Sequence, residues 1–135
     1  MSRKLFVNLP VTDLGRSRRF YEALGFHFDP QFTDDAAACM VISEHNYAML
    51  LTHEKFRLFT PKPIADAKAS SQVLVALSCE DRAAVDAMVA KAVAAGGSVP
   101  RPAEDHGFMY GHAFEDPDGH IWEPFWMAPE AAAQA

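Results

Sequence analysis

The sequence predicts an α+β protein made of two βαβββ modules in tandem, their mixed sheets forming a concave wall that encloses a cavity. Three observations predict it. Val7-Asn8-Leu9-Pro10-Val11-Thr12-Asp13 lies over Val75-Ala76-Leu77-Ser78-Cys79-Glu80-Asp81 at an offset of 68 residues, with Val, Leu and Asp coincident. Each copy is followed by a helical stretch and then by three strand-like runs. The chain has 135 residues, too few for two independent domains but enough for two half-size modules sharing one. The expectation is one domain over 1–135, with modules over about 4–57 and 72–127 and a linker over 58–71.

The elements follow in order. Each echoed segment is a short apolar strand ending in an aspartate suited to cap a helix, Asp13 or Asp81. Leu14, Phe20, Tyr21 and Leu24 form an apolar stripe at helical spacing in the first module, as do Val85, Met88, Val89 and Ala92 in the second. Arg16, Arg18, Arg19, Asp86 and Lys91 then fall on the solvent side. Both helices stop at glycine, Gly25 and Gly96-Gly97, where a left-handed cap favours a residue without a Cβ. Strands are expected at Phe26–Phe28, Ala37–Ile42 and Tyr47–Thr52, then at Gly97–Val99, Phe108–Phe114 and His120–Trp126. Two prolines mark Phe59–Ser71 as linker, and the Ala-rich Pro129–Ala135 is read as a frayed or short helical end. Asp116-Pro117-Asp118-Gly119 is a turn, since its acidic spacing lacks the rest of a calcium loop.

Composition narrows the function. Twelve basic residues against 18 acidic ones give a formal charge of −6, with no Lys/Arg cluster, which argues against nucleic acid and anionic membranes as partners. There is no apolar run of membrane-spanning length, and the N-terminus lacks a signal-like apolar segment. Half the residues are hydrophobic, enough for a real core. Cys39 and Cys79 have no neighbouring cysteine for a metal or redox motif and read as buried structural thiols. No phosphate loop, G-x-S-x-G elbow, H-E-x-x-H or paired-cysteine zinc pattern is present. A cytoplasmic protein handling a small molecule is the expectation. A single helix covers only one face of each sheet, so the other face must be buried against something, which predicts an apolar pocket and a homodimer.

Two motifs carry a family resemblance. Asp13-Leu14-Gly15-Arg16-Ser17-Arg18-Arg19-Phe20-Tyr21-Glu22-Ala23-Leu24-Gly25-Phe26 resembles the first-helix signature of the vicinal oxygen chelate superfamily, which includes glyoxalase I, bleomycin and fosfomycin resistance proteins, extradiol dioxygenases and methylmalonyl-CoA epimerase. Glu115-Asp116-Pro117-Asp118-Gly119-His120-Ile121-Trp122-Glu123 resembles its last hairpin, and the likeness covers about residues 5–126. The resemblance is specific for fold and poor for reaction, because this scaffold hosts unrelated chemistries. Metal-using members take ligands from four strand positions, which fall here on Phe6, Leu50, Leu74 and Glu123. Three are apolar, so no metal is expected at the family's usual centre, and no cofactor is called. A substitute divalent-metal site from His112 and Glu123 is the alternative, though two ligands are few.

Period-2 alternation counted from Glu123 places Phe6, Asn8, Ala48, Leu50, Leu74, Ala76, Ile121 and Phe125 on the pocket face, and Val7, Leu9, Met49, Leu51, Val75, Leu77 and Trp122 under the helices. Thr52 and Glu54 continue the inward phase, making His53–Phe56 a candidate rim. Glu123 among Phe, Leu and Ile is the candidate catalytic residue, a proton-transfer group; the alternative is a carboxylate accepting a bond from Asn8, Tyr110 or His112. Phe6, Asn8, Leu50, Leu74, Tyr110, His112 and Phe125 are the candidate ligand-binding residues, with Tyr110 and His112 expected on one strand face beside Glu123. His120 is read as structural, and His27, His45 and His53 as solvated. Three functions fit: a lyase or isomerase acting on a small carbonyl or thioester through Glu123; a non-enzymatic protein sequestering a hydrophobic or aromatic compound; and a ligand-sensing or interaction scaffold.

Overall fold

A computed structural model of the chain describes residues 2–130. The chain divides into two compact units, Met1–Asp66 and Ala67–Ala135. Of the terminal stretch read as frayed or helical, residues 131–135 lie outside the described part.

The first unit runs β1 (Leu5–Val11), α1 (Leu14–Ala23), β2 (His27–Asp29), a single 3-10 turn at Pro30–Phe32, β3 (Ala37–Val41), β4 (Asn46–Thr52) and α2 (His53–Arg57). Asp13 begins α1 by accepting the Arg16 N–H at 3.0 Å. Ser17, Phe20 and Tyr21 are its buried residues, and Gly25 leaves it at φ +102°. The strands order as β1-β4-β3-β2, with β1 parallel to β4 and the other pairs antiparallel. The crossover through α1 is what permits the parallel pair.

Register corrects the expected alternation in this unit. Phe6 lies beside Tyr47, Asn8 beside Met49 and Leu9 beside Leu50, and residues paired across strands share a face. Leu50 and Ala48, expected to share a face with Phe6, therefore lie on the opposite one, with Leu9, Met40 and Ala38; both are 0% exposed. Met49, expected under the helix, shares the other face with Asn8, and Phe6 stacks on Tyr47 with ring centroids 4.7 Å apart. The expected inward continuation through Thr52 and Glu54 is also replaced. Thr52 Oγ1 accepts the Lys55 N–H at 3.2 Å and turns His53–Arg57 into helix α2.

The second unit runs β5 (Leu74–Ser78), α3 (Arg82–Ala94), β6 (Glu104–Asp105), β7 (Met109–Gly111), β8 (Phe114–Glu115) and β9 (Ile121–Met127). The order is β5-β9-β7-β6, with β8 also on β9; β5 is parallel to β9 and the rest antiparallel. Asp81 caps α3 through the Ala84 N–H at 2.7 Å, and Gly96 follows the helix at φ +106°. Val85, Val89 and Ala92 are buried on α3, and Trp122 and Pro124 on β9. The strand expected at Gly97–Val99 is reduced to one bridge, Ser98 to Glu115, and the edge strand is Glu104–Asp105 instead. Pro100 and Pro102 lack the N–H a ladder needs.

Asp116 organises the last turn. Its Oδ1 accepts the N–H groups of Asp118 and His120 at 3.0 and 2.8 Å, and its carbonyl accepts from Gly119 at 3.0 Å. Gly119 sits at φ +95° against the backbone of Ala67 and Lys68, where an added Cβ would come within 2.7 Å of the Lys68 nitrogen. Both the conformation and the space require glycine.

Candidate functional site

In the second unit the expected alternation agrees with the register. Leu74 pairs with Ile121 and Ala76 with Glu123, while Val75 and Leu77 pair with the buried Trp122 and Pro124 on the other face. Met109 and Gly111 pair with Met127 and Phe125 and so join the face of Glu123. On this face lies a cavity of about 340 Å³, at the lower end of the range of small-molecule sites. Its walls are Ala76, Met109, Gly111, Phe125, Met127 and Pro124, and its polar groups are Arg101, Glu104, His112 and Glu123.

Glu123 is 26% exposed, and its Oε2 accepts a hydrogen bond from Arg101 Nη2 at 2.9 Å. The donors expected for this carboxylate were Asn8, Tyr110 or His112; the donor found is Arg101. Arg101 carried no motif and comes from the proline-flanked segment after α3. Among the candidate ligand-binding residues, His112 and Phe125 line the cavity with Glu123. Leu74 shares their sheet face but is 51% exposed and outside the lining. Phe6, Asn8 and Leu50 belong to the sheet of the first unit.

Tyr110 is a correction. It pairs with Trp126, on the face opposite Met109 and Gly111, and its Oη donates to Asp86 Oδ1 on α3 at 2.6 Å. Tyr110 therefore belongs to a clamp. Arg82 of α3 donates to Asp105 Oδ2 at 2.6 Å and to the Gly107 carbonyl at 2.9 Å, with its guanidinium 5.3 Å from the Tyr110 ring centroid and 5.1 Å from that of Trp126. The clamp holds the β6–β7 hairpin from the helix side while Glu104, Met109 and Gly111 of that hairpin face the cavity. The Arg82 hydrogen bond holds the Asp105 carboxyl below its ordinary value, with help from the Gly107 N–H. The bond to Asp86 pushes the Tyr110 phenol up.

His112 lines the cavity from the break between β7 and β8. Its backbone N–H donates to the Pro124 carbonyl at 3.1 Å, and its Nδ1 lies 2.9 Å from the Ala113 nitrogen and 3.1 Å from the Ala113 carbonyl oxygen. Nδ1 therefore meets a donor and an acceptor of the same residue, and the backbone of Ala113 occupies this nitrogen in either tautomer. The donor set does not fit the four-ligand metal centre that the fold type implies. Of the two carboxylates in the cavity wall, Glu123 is engaged by a guanidinium and Glu104 stands beside His106, the Ala113 backbone occupies Nδ1 of His112, and among the described residues no three His, Cys, Asp or Glu side chains are grouped to hold a metal ion. Cys39 is buried and Cys79, expected buried, is half-exposed; both are free thiols whose ionisation burial makes harder.

Two βαβββ units, the second carrying a small polar-tipped apolar cavity on the sheet face opposite Trp122 and Pro124, define a protein of the glyoxalase-like class. The chain belongs to the Glyoxalase/Bleomycin resistance protein/Dioxygenase superfamily, whose family model matches residues 5–123. Solved structures agree on the fold. The hypothetical protein SA1046 from S. aureus is 28% identical, with a TM-score of 0.78 over 93% of this chain and 95% of that one. A glyoxalase/bleomycin resistance protein/dioxygenase family enzyme from Burkholderia phytofirmans PsJN is 17% identical, with a TM-score of 0.77 over 93% and 99% of the two chains. A glyoxalase-related enzyme from Fulvimarina pelagi is 23% identical, with a TM-score of 0.77 over 93% and 88%. No curated protein matches the chain. No described helix is long and apolar enough to cross a membrane.

Proposed function

We propose that the cavity of the second unit binds a small, mainly apolar organic molecule without a metal ion, and that the protein acts as a binding or sequestering protein for a hydrophobic or aromatic compound. The observation that carries this reading is the Arg101–Glu123 pair in a wall otherwise built mainly of apolar residues. A carboxylate already held by a guanidinium is a fixed polar handle for orienting a ligand, and Phe125, Met109 and Met127 supply the surface that a ring or chain covers. The test is a thermal-shift screen of aromatic compounds against the wild type and Phe125→Ala. A true ligand at a hundred times its Kd stabilises the wild type by about 2.7 kcal/mol and the variant by less. Equal shifts in both proteins, or none in either, would overturn the assignment.

One observation favours a second reading, a lyase or isomerase. His112 lines the same cavity as Glu123, so an imidazole and a carboxylate flank one space. Glu123 would then take a proton from the ligand. Glu123→Gln separates the readings, because proton transfer predicts bound but unconverted ligand. The exposed Leu5, Phe6 and Leu74 on β1 and β5, which end the strand order of their sheets, support a homodimer. Sedimentation equilibrium would measure it.

A further inference from the structure

We infer that the cavity, if it is the ligand site proposed above, selects organic cations: molecules with an apolar ring or chain carrying a protonated amine. The first ground is the distribution of charge. Residues 1–66 carry 8 basic and 8 acidic residues and are formally neutral, whereas residues 67–135 carry 4 basic against 10 acidic, so the whole −6 of the chain resides in the unit that holds the cavity. A field of one sign around a low-dielectric cleft concentrates ligands of the opposite sign.

The second ground is local. The cavity has two carboxylates, Glu104 and Glu123, and one guanidinium, Arg101. Arg101 bonds Glu123 through one nitrogen and one oxygen only, Nη2 to Oε2. Among the described residues Glu104 has no arginine or lysine partner; its Oε2 lies 3.3 Å from His106 Nε2, an ion pair only when that imidazole is protonated. The charge left uncompensated in the cavity is therefore negative. A ligand carboxylate would reach Arg101 only beside Glu123 and Glu104. A ligand ammonium meets two acceptors beside the side chains of Phe125, Met109 and Met127, an aromatic ring and two thioethers of the kinds that suit a cation.

Calorimetric titration of the full-length protein with three probes of one size tests this: phenethylammonium, phenethyl alcohol and hydrocinnamate, a cation, a neutral molecule and an anion. The expected order is cation, alcohol, anion, with about tenfold tighter binding of the cation than the alcohol and a loss of that advantage at about 1 M NaCl. Glu104→Gln, at an exposed position, should weaken only the cation, and Arg101→Gln should strengthen it. If the alcohol binds as tightly as the cation, or the anion binds best, selection for cations is wrong while the cavity remains a binding site. If none of the three binds, the alcohol included, the binding-site reading itself falls.

Discussion

Arg101 Nη2 and Glu123 Oε2 meet at 2.9 Å across 22 residues of sequence, tying the proline-flanked segment after α3 to the strand on which β5, β7 and β8 all pair. The side chains are 34% and 26% exposed, so solvent screens the pair and its contribution to stability is small. Glu123→Gln and Arg101→Gln should each lower unfolding free energy by less than about 1 kcal/mol in urea titrations, with a coupling in the double variant of the same order. Their effect should fall on ligand binding. A loss several times larger would mean that the pair holds the fold and not the cavity.

Gly119 and Gly25 both lie at positive φ but differ in surroundings. An added Cβ at Gly119 would meet Lys68 N at 2.7 Å and Ala67 C at 2.8 Å, whereas nothing lies within 4 Å of one at Gly25. Gly25→Ala should cost about 1 kcal/mol, the strain of a left-handed alanine. Gly119→Ala adds a backbone collision and should cost about 3 kcal/mol or more. Similar values for the two would show that the 67–68 backbone yields freely.

The Arg82 clamp gives stability a pH dependence at both ends. The Asp105 carboxyl is held below its unfolded value, so its contribution is present above that value and is lost as pH falls through the native one. The Tyr110 phenol is pushed above its unfolded value by Asp86; that contribution is present below the unfolded value and is lost as pH rises through the native one. Denaturant midpoints should therefore fall below about pH 4 and above about pH 10. Asp105→Asn should flatten the acid limb and Tyr110→Phe the alkaline limb. Limbs unchanged in both variants would remove the clamp from the account.

The two thiols should react in order. Cys39 is 2% exposed in β3, whereas Cys79 is half-buried at the end of β5, and burial raises both thiols above their ordinary value. Under native conditions a disulfide reagent should modify Cys79 first, with Cys39 following only on opening. Mass spectrometry of partly labelled protein would read the order, and prior labelling of Cys39 would contradict the packing of β3.

What could be read from the sequence was local or repeated. The aspartate caps, the glycine stops, the turn at Asp116–Gly119 and the 68-residue echo each depend on residues close together in the chain, and together they specified two βαβββ units. The face of β9 was legible too, because alternation within one strand is fixed by the backbone. The face of β4 was not. Its phase depends on pairing with β1 as Phe6–Tyr47, and a shift of one residue sends every side chain to the other face, which is how Leu50 left the expected pocket. The cavity's electrostatics were also decided in three dimensions. Arg101 and Arg82 lie 22 and 23 residues from their carboxylates, and nothing local distinguishes either arginine from a solvated one. Tertiary folding alone selects which carboxylate each guanidinium meets, since a charge pair forms wherever the chain brings its members together.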